Sequence, residues 1–528
     1  MNIQLVIPMS GKGTRYQKAG YTQPKPLIPV NGTPMIERLL EKFPIEWPCT
    51  FVHSEIHQQT DLPAFLRKLR PQGKIISLPW HGKGPSYALK AALKELNDKD
   101  PILVSYCDYG MQWDPWDFKN FVEQSECDAA LISYKGFHAH YLSPVMYAYS
   151  RIENELVKEV KEKGCFTENR ENEFASAGAY YFRNLEILET ALDYQEKNNL
   201  SMNGEFYTSL TVEALLKMNP AAKVKVYEIP AFYQWGTPQD LKIFEYWEKT
   251  YSNLLRTENL HNQDNLQVLM PMAGLGSRFK DFFDTPKPFL KIDQVPMYRK
   301  ALQSLPRGSK NHYVTIEAAK KFLKLENNET AFFLDKTPEG QALSVEAGLS
   351  LLNPDQEIIV SACDHGIVLP FSTWKAFRQS PDQPDAAIFT VTGFPGTQRR
   401  PEAFAYVKTS PSAESVFADV QQVSVKKPIS EDPAQDPLLV GTFWFKNKSI
   451  LEKGIQLLKK NNLRVNGELY LDSVFDLLIA KGHKVKIIPL DGYINWGDPD
   501  SLAEALYWAE VFGGHKNSAR SRFAGVTE

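Results

Sequence analysis

Hydrophobic positions along the chain follow two patterns, one typical of buried strands and the other of amphipathic helices. Short apolar runs bounded by turn residues, such as IQLVIP and PILVSYCD early in the chain and LQVLMP and EIIVSACD later, predict buried strands. Longer stretches with helical spacing, such as SYALKAALKELN and ALSVEAGLSLLN, lie between them. This alternation predicts an α/β fold with a mostly parallel, helix-flanked sheet. Because such folds bind ligands beyond the carboxyl ends of their strands, we expect the chemistry in the loops after strands.

The same series of motifs occurs twice in the chain. The matched positions are Gly11 with Gly274, Lys25 with Lys287, Gly84 with Gly340, Asp108 with Asp364, Lys163 with Lys427, Gly178 with Gly441, Glu205 with Glu468, and Trp235 with Trp496. Their offsets all lie between 256 and 264 residues. A near-constant offset of this size predicts a duplicated domain rather than an array of short repeats.

Composition places the boundaries of the two copies. The stretch RTENLHNQDN is polar and has no apolar periodicity, which favours a linker, and the last residues are polar with little to bury. The predicted division is domain 1 at residues 1–254, a linker at 255–264, domain 2 at 265–513 and a loose C-terminal tail at 514–528. Whether the copies pack as an intramolecular pseudo-dimer, or the chain forms a homo-oligomer, is left open.

Bulk composition narrows the class of protein and of partner. The 528 residues are 43% hydrophobic and 23% charged, as in soluble globular proteins. The net charge of −3 gives no reason to expect a nucleic-acid or membrane partner. The five scattered cysteines fit a reducing compartment. With no apolar run of membrane-spanning length and no visible secretory signal, we expect a cytoplasmic protein.

Two short segments suggest anion binding. The loop Gly11-Lys12-Gly13-Thr14-Arg15 follows the first predicted strand, where glycines let backbone N–H groups approach an anion and the arginine adds a forked positive charge. In Pro24-Lys25-Pro26 the two prolines restrict the backbone around one lysine. Either segment alone fits an ordinary turn. Their recurrence together at nearly the same spacing favours phosphate binding.

The combination G-x-G-T-R followed by P-K-P-L resembles the signature of sugar-phosphate nucleotidyltransferases, which have a glycosyltransferase-A-like, Rossmann-like α/β fold. That resemblance implies an enzyme that joins a nucleoside triphosphate to a sugar 1-phosphate, giving a nucleotide sugar and pyrophosphate with Mg²⁺. We expect such an enzyme to serve cell-surface polysaccharide synthesis. No protein nucleophile is needed, because positioning and charge neutralisation supply the catalysis.

The resemblance assigns site residues in both copies. The implied catalytic residues are Arg15, Lys25, Arg278 and Lys287. The implied nucleotide-binding residues are Gly11, Gly13, Thr14, Gly84, Gly274, Gly276, Ser277 and Gly340. The implied acceptor-binding residues are Glu162, Lys163, Gly178, Glu205, Lys427, Gly441 and Glu468, and the implied metal ligands are Asp108 and Asp364.

The chain departs from the family pattern at two places. A second metal-binding aspartate is common two residues before the glycine of the late G-T-P stretch, but Gln234 and Asn495 stand there. Asp240 and Asp498 lie nearby, yet they do not correspond under the repeat and are not assigned to the metal. The acceptor motif reads Glu162-Lys163-Gly164 in the first copy and Lys426-Lys427-Pro428 in the second. The first copy is therefore the better candidate for catalysis.

Two other functions remain open. One is the same chemistry on a phosphorylated alcohol or amino-acid derivative, with CTP as the nucleotide donor, which the altered acceptor motifs leave possible. The other is a non-catalytic regulatory protein that binds nucleotides or sugar phosphates without turnover. The arginine, lysine and aspartate in both copies weigh against the second alternative.

Overall fold

The computed structural model describes residues 2–256, 263–410, 416–513 and 521–528. The chain forms two compact units. The first comprises Met1–Glu245 and Ser518–Arg522, and the second comprises Tyr246–Asn517 and Phe523–Glu528.

The first unit contains thirteen strands in its described residues. They are β1 (Gln4–Met9), β2 (Pro29–Val30), β3 (Thr33–Pro34), β4 (Cys49–Ser54), β5 (Lys74–Leu78), β6 (Ile102–Ser105), β7 (Tyr109–Gln112), β8 (Ala129–Tyr134), β9 (Tyr149–Glu153), β10 (Leu156–Lys161), β11 (Phe174–Phe182), β12 (Val224–Glu228) and β13 (Ala231–Gln234). Its helices are α1 (Thr14–Lys18), α2 (Met35–Leu40), α3 (Leu62–Leu69), α4 (Pro85–Ala92), α5 (Pro115–Ser125), α6 (Leu185–Lys197) and α7 (Thr208–Met218), and α8 (Pro238–Arg256) begins in this unit.

Seven strands of the first unit form one path through a nine-stranded sheet. The order is β12-β8-β11-β6-β1-β4-β5, and β9 and β10 extend from one end of β11. Four of the six pairings along this path are parallel, and the two made by β11 with β8 and β6 are antiparallel. Because β1 lies between the parallel strands β4 and β6, the loops that follow these strands meet at one edge of the sheet.

The second unit repeats this architecture. Its strands are β14 (Gln263–Pro271), β15 (Lys291–Ile292), β16 (Val295–Pro296), β17 (Gly308–Ile316), β18 (Glu329–Leu334), β19 (Glu357–Ser361), β20 (His365–Val368), β21 (Ala386–Val391), β22 (Ala405–Thr409), β23 (Val420–Val425), β24 (Leu438–Phe445), β25 (Val485–Pro489), β26 (Gly492–Asn495) and β27 (Val526–Thr527). Its helices are α9 (Met297–Gln303), α10 (Gln341–Gly348), α11 (Phe371–Gln379), α12 (Gly396–Arg399), α13 (Lys448–Asn461), α14 (Val474–Ile479) and α15 (Pro499–Gly513).

The order of strands in the second sheet is the same as in the first. It reads β25-β21-β24-β19-β14-β17-β18, with β22 and β23 extending from β24. Each strand of this path therefore stands where its sequence repeat stands in the first unit. The predicted fold class, two tandem copies of a mostly parallel, helix-flanked Rossmann-like sheet, is confirmed.

Both faces of the first sheet are buried, and β1 shows why its sequence reads as a continuous apolar run. Leu5 and Ile7 point into a core on one face, while Val6 belongs to the core on the other face. Successive side chains of a strand point to opposite faces, so a strand covered on both sides needs apolar residues at every position.

The predicted boundaries differ in detail from the observed elements. Helix α8 continues to Arg256 and β14 begins at Gln263, so both ends of the predicted linker 255–264 are regular structure, and residues 257–262 lie outside the described part. Residues 521–528, part of the predicted loose tail, include a strand, β27, that pairs antiparallel with β15. Backbone pairing orders this segment although it has few apolar side chains.

Candidate active site

The glycine loop after β1 lies directly against the proline-flanked lysine. Gly13 has a left-handed backbone (φ 67°), and a Cβ at this position would lie 3.1 Å from Cβ of Lys25. In the second unit, Gly276 (φ 58°) stands in the same relation to Lys287, at 2.9 Å. The repeated spacing of the two motifs therefore reflects a direct contact, which would crowd any side chain added at the glycine.

The lysine in turn binds the aspartate that follows the neighbouring strand. Nζ of Lys25 donates a hydrogen bond to Oδ2 of Asp108 at 2.5 Å and another to the carbonyl oxygen of Gly236 at 3.1 Å. In the second unit, Nζ of Lys287 lies 2.6 Å from Oδ2 of Asp364. Burial by itself would raise the pKa of Asp364 and lower that of Lys287, but the attraction between their opposite charges outweighs burial, so the pKa of Asp364 is lowered and that of Lys287 is raised.

Two cavities meet at this ion pair in the first unit. The larger, of about 460 Å³, is lined by the glycine loop, and the smaller, of about 300 Å³, lies on the other side of the pair. Arg15, Lys25 and Asp108 line both. The other predicted residues that line the first cavity are Gly11, Gly13, Thr14, Gly84 and Glu205, and those that line the second are Glu162, Lys163 and Gly178.

One cavity of about 590 Å³ occupies the corresponding place in the second unit. It is lined by the predicted residues Gly274, Gly276, Ser277, Arg278, Lys287, Gly340, Asp364, Gly441 and Glu468. Of the predicted residues of the second copy, Lys427 does not line it.

A glycine at the start of a helix shapes the far end of the larger cavity. Gly84 precedes α4 with φ 85°, and a Cβ there would lie 2.8 Å from backbone N and O of Phe206. At Gly340 (φ 121°) the same atoms of Leu469 would lie at 2.5 Å. Backbone approaches this close exclude every other residue type, which explains the glycine in both copies.

An exposed tryptophan forms one wall of the larger cavity, and the sequence analysis missed it. Trp80 lines the cavity with 47% of its surface exposed, and Nζ of Lys12 lies 3.7 Å from its ring centroid. The aligned positions in the second copy are Lys336 and Leu275, so the two cavities differ in this wall.

The smaller cavity contains a lysine held in an unusual backbone conformation. Lys163 has φ 52°, and its Nζ donates to the hydroxyl of Tyr207 at 2.7 Å. That hydroxyl in turn donates to Glu205 at 2.5 Å. A left-handed backbone is unfavourable for lysine, so the fold holds this ammonium group at the cavity wall. Glu162 beside it is buried, accepts a hydrogen bond from Ser209 at 2.5 Å, and has its pKa raised by burial.

The structural counterpart of Lys163 is Lys426, which corrects the pairing of Lys163 with Lys427. Lys426 has φ 57°, and its Nζ donates to the hydroxyl of Tyr470 at 3.2 Å, which repeats the contact of Lys163 with Tyr207. Lys427 is exposed. Because Lys426 and Lys427 are adjacent, the sequence alone did not show which of them aligns with Lys163. With Lys426 aligned, the residue in the place of Glu162 is Val425, at the end of β23.

A second carboxylate lies beside Asp108 in the first unit. A Cβ placed on Gly236 would lie 3.6 Å from Oδ2 of Asp108 and 3.7 Å from Oδ2 of Asp240, so the two carboxylates face the same point. Burial, and after it the charge of Asp108, raises the pKa of Asp240. Asp240 also accepts hydrogen bonds from Thr237 and Gln234, both at 2.6 Å.

The second unit makes the same hydrogen bonds with the partners exchanged. Its carboxylate is Asp498, at the position of Thr237, and its hydroxyl is Ser501, at the position of Asp240; they are 2.9 Å apart. Asn495, in the place of Gln234, donates to the hydroxyl of Ser501 at 3.1 Å. Asp498 differs from Asp240 in having an arginine partner, since Nη2 of Arg400 lies 2.9 Å from it.

The described residues contain no group of three or more histidine, cysteine, aspartate or glutamate side chains placed to hold a metal ion. The carboxylate pair of the first unit nonetheless fits magnesium, which commonly takes one or two protein carboxylates and completes its octahedron with water and phosphate oxygens. In the second unit Asp364 is the counterpart of Asp108, whereas Asp498 is paired with Arg400 and has no acidic counterpart in the first unit.

Comparison with known protein families identifies the first copy. Residues 5–166, about a third of the chain, match the family model of the MobA-like NTP transferase domain. The matched residues all lie in the first repeat. The resemblance to nucleotidyltransferases and the prediction of an enzyme of this class are thereby confirmed. No curated protein matches the chain. Among the described residues, none of the helices has the length and apolar character needed to cross a bilayer.

Solved structures similar to the chain each span about one of its two copies. A nucleoside-diphosphate-sugar pyrophosphorylase from Vibrio cholerae RC9 is 21% identical over 46% of this chain and 99% of its own, with a TM-score of 0.38. An inositol-1-phosphate CTP transferase from T. maritima is 16% identical over 49% of this chain and 100% of its own, with a TM-score of 0.37. A UTP-bound UGPase from Acinetobacter baumannii is 15% identical over 46% and 92%, with a TM-score of 0.35.

Proposed function

We propose that the enzyme transfers a nucleotidyl group from a nucleoside triphosphate to a sugar 1-phosphate, giving a nucleotide sugar and pyrophosphate for cell-surface polysaccharide synthesis in the cytoplasm. The observation that carries the proposal is the meeting of two cavities at Lys25 and Asp108. One cavity presents a glycine loop suited to a triphosphate, and the other presents a lysine and a buried glutamate suited to a phosphorylated polyol.

The reaction requires an in-line exchange at the α-phosphorus. An oxygen of the acceptor phosphate forms a bond to that phosphorus from the smaller cavity, while the bond to the bridging oxygen of the β-phosphate breaks and pyrophosphate leaves through the larger cavity. Both reactants are anions, so most of the catalysis comes from holding them together and neutralising their charge.

Residues of the chain supply these two effects. Lys25 and Arg15 line both cavities and therefore reach the reacting phosphates from either side. Asp108 and Asp240 would hold the magnesium ion, which when bound neutralises phosphate charge at the reaction centre. In the structure Lys25 binds an oxygen of Asp108, and this contact would be exchanged for one to phosphate when the lysine binds substrate.

Acceptor recognition falls to the smaller cavity. The ammonium group of Lys163 is suited to the acceptor phosphate, and the carboxylate of Glu162 can accept hydrogen bonds from sugar hydroxyls. Burial of Glu162 makes these bonds worth more than they would be in water.

The test measures pyrophosphate released by the full-length protein with ATP, CTP, GTP and UTP, each against a panel of sugar 1-phosphates and phosphorylated alcohols. We expect turnover with a sugar 1-phosphate and one preferred triphosphate, abolished by chelation of the metal. Turnover only with a phosphorylated alcohol and CTP would mean that the acceptor is this alcohol rather than a sugar 1-phosphate. Binding of substrates without any pyrophosphate release would contradict the proposal.

A further inference from the structure

The second copy keeps an acceptor-binding carboxylate at a position that sequence comparison conceals. We infer that Asp472 does in the second copy what Glu162 does in the first, so that the second copy is a second acceptor site for a hydroxyl-bearing phosphorylated compound. This inference rests on the proposed function and extends it to the second unit, whose altered motif had made it suspect.

The argument begins with the register of the two copies. The bonds of Lys163 to Tyr207 and of Lys426 to Tyr470 fix the alignment on both sides of the acceptor cavity. Under this register Val425 takes the place of Glu162, and Asp472 takes the place of Ser209.

In the first copy these two positions touch each other. The hydroxyl of Ser209, in the first turn of α7, donates to Oε2 of Glu162, just after β10, at 2.5 Å. If the other of these two positions carries the carboxylate, the acidic group still lies at the same wall of the cavity. The exchange of Glu162 and Ser209 for Val425 and Asp472 therefore preserves one acidic group there.

Asp472 lies at the wall of the cavity. It lines the cavity of about 590 Å³ together with Gly441 and Tyr470. Within the described ranges its carboxylate has one hydrogen bond, from its own backbone N–H. The nearby cation that acts on it is Lys426, the counterpart of the lysine assigned to the acceptor phosphate.

A large side chain that lines both cavities of the first unit is replaced by a small one in the second. The ring of Tyr106 lines both cavities there, and a Cβ on Gly178 would lie 3.1 Å from it. Ala362 stands in its place, so one cavity runs from the glycine loop of the second unit to Asp472. The carboxylate of Asp472 faces this space, and the ammonium group of Lys426 binds the hydroxyl of Tyr470, which lines it. Such a pair suits hydroxyl and phosphate groups of one ligand.

A second exchange in the same unit supports this interpretation. Thr237 and Asp240 of the first copy are replaced by Asp498 and Ser501, with the hydroxyl–carboxylate contact retained. This reciprocal exchange at the cavity edge shows that loss of an acid at an aligned position does not mean loss of the acid from the site.

The experiment uses the full-length protein with Lys25→Met to silence the first copy. Turnover is measured with glucose 1-phosphate and the other sugar 1-phosphates of the panel. Asp472→Ser is expected to raise the KM for the acceptor at least tenfold and to leave the KM for the triphosphate unchanged. The double variant Val425→Glu with Asp472→Ser restores the arrangement of the first copy and is expected to recover the acceptor KM. Asp355→Ser, which removes an exposed carboxylate outside the cavity, is the matched control and should have no effect.

Calorimetric titration of the same variants with the sugar 1-phosphates separates this inference from the proposed function. Asp472-dependent binding without turnover would support the acceptor site while contradicting nucleotidyl transfer. Turnover by the second copy with an acceptor KM that is insensitive to Asp472→Ser would overturn the inference and leave the proposed function standing. Absence of binding of every compound to the Lys25→Met protein would overturn the inference as well.

Discussion

The ammonium group of Lys25 lies 2.5 Å from Oδ2 of Asp108, so the lysine and the aspartate proposed to bind phosphate and metal neutralise each other in the structure. Lys287 and Asp364 repeat the pair at 2.6 Å in the second unit. The pair joins the loop after β1 to the loop after β6, and these strands are neighbours in the sheet. The contact balances the two charges. Ligand binding would exchange it for contacts to phosphate and metal.

Replacement of Lys25 by methionine should remove the positive charge without opening a cavity. In a protein whose second copy is silenced by Lys287→Met, we expect pyrophosphate release to fall about 100- to 1,000-fold, the loss typical for one preorganised charged donor. The measurement is the initial rate of pyrophosphate release at saturating substrates. Lys18→Met on the exposed side of α1 is the control, and equal losses in both variants would contradict the assignment.

The two units should differ in their dependence on a second carboxylate. Asp240→Asn is expected to raise the magnesium concentration for half-maximal turnover by the first copy about tenfold or more, within the range seen when groups supporting a metal are removed. Asp498→Asn should change this concentration little in the second copy, because Arg400 already neutralises the carboxylate. Magnesium titrations of the two variants, each with the other copy silenced, make the comparison. A larger effect at Asp498 than at Asp240 would reverse the assignment.

Trp80 should contribute to binding the nucleoside in the first copy. Stacking of a base on an aromatic side chain is worth about 1–3 kcal/mol, so Trp80→Ala should raise the KM for the triphosphate about tenfold or more. Trp80→Phe should retain part of the affinity, and the acceptor KM should be unaffected by either variant. An unchanged triphosphate KM in Trp80→Ala would exclude the ring from the nucleoside site.

Alanine at Gly84 should destabilise the first unit, because the new Cβ meets backbone atoms at 2.8 Å and the backbone has φ 85° with ψ 178°. This conformation is essentially confined to glycine and costs another residue about 1–3 kcal/mol, and the clash adds to that cost. Gly82→Ala is the matched control two residues away, where the nearest neighbouring atom would be 3.9 Å from the Cβ. Thermal unfolding followed by circular dichroism should show a lower midpoint for Gly84→Ala alone. Equal midpoints would show that the backbone contact is not as close as described.

The pKa of Asp472 gives the second unit a distinctive pH dependence. Burial raises this pKa to about 6 from an ordinary value of 3.8, while Lys426 lowers it and Glu468 and Tyr470 lie at the same cavity. The folded state therefore holds the proton more tightly than the unfolded state, and the cost of the charged form appears as pH rises from about 4 to 6. Asp472→Asn should raise the unfolding midpoint at pH 7.5 and change it less at pH 4.5. A lower unfolding midpoint for Asp472→Asn at pH 7.5 would mean that the surroundings stabilise the charged carboxylate.

The sequence predicts the fold well because the signals are local and occur twice. Continuous apolar runs such as that of β1 arise from burial on both faces of the sheet, and glycine at Gly84 and Gly340 arises from a backbone contact that tolerates no side chain. The predicted glycine loops, lysines and aspartates are brought together because they follow neighbouring parallel strands, which the sequence pattern also predicts.

The remaining parts of the site depend on contacts between distant segments. Lys426 could not be distinguished from Lys427 without the tyrosine that it binds. Asp240 and Asp472 were not recognised because the residues at their own positions in the other copy, Ser501 and Ser209, are not acids. A sequence alignment compares residues at matching positions, whereas the chemistry of the cavity depends on which side-chain atoms reach its wall.

Other differences lie where backbone pairing overrides composition. The polar segment that contains β27 reads as a loose tail, but its backbone pairs with β15. Such pairing depends on the free edge of a distant strand, which a local reading of the sequence does not include.

The most direct test of the account is a crystal structure of the full-length protein with magnesium and a triphosphate analogue that cannot be cleaved between the α- and β-phosphates. We predict that the triphosphate lies along Gly11–Arg15 in the first unit, with Lys25 moved from Asp108 onto phosphate and the metal beside Asp108 and Asp240. A triphosphate bound away from this loop, with the Lys25–Asp108 contact intact, would contradict the central claim.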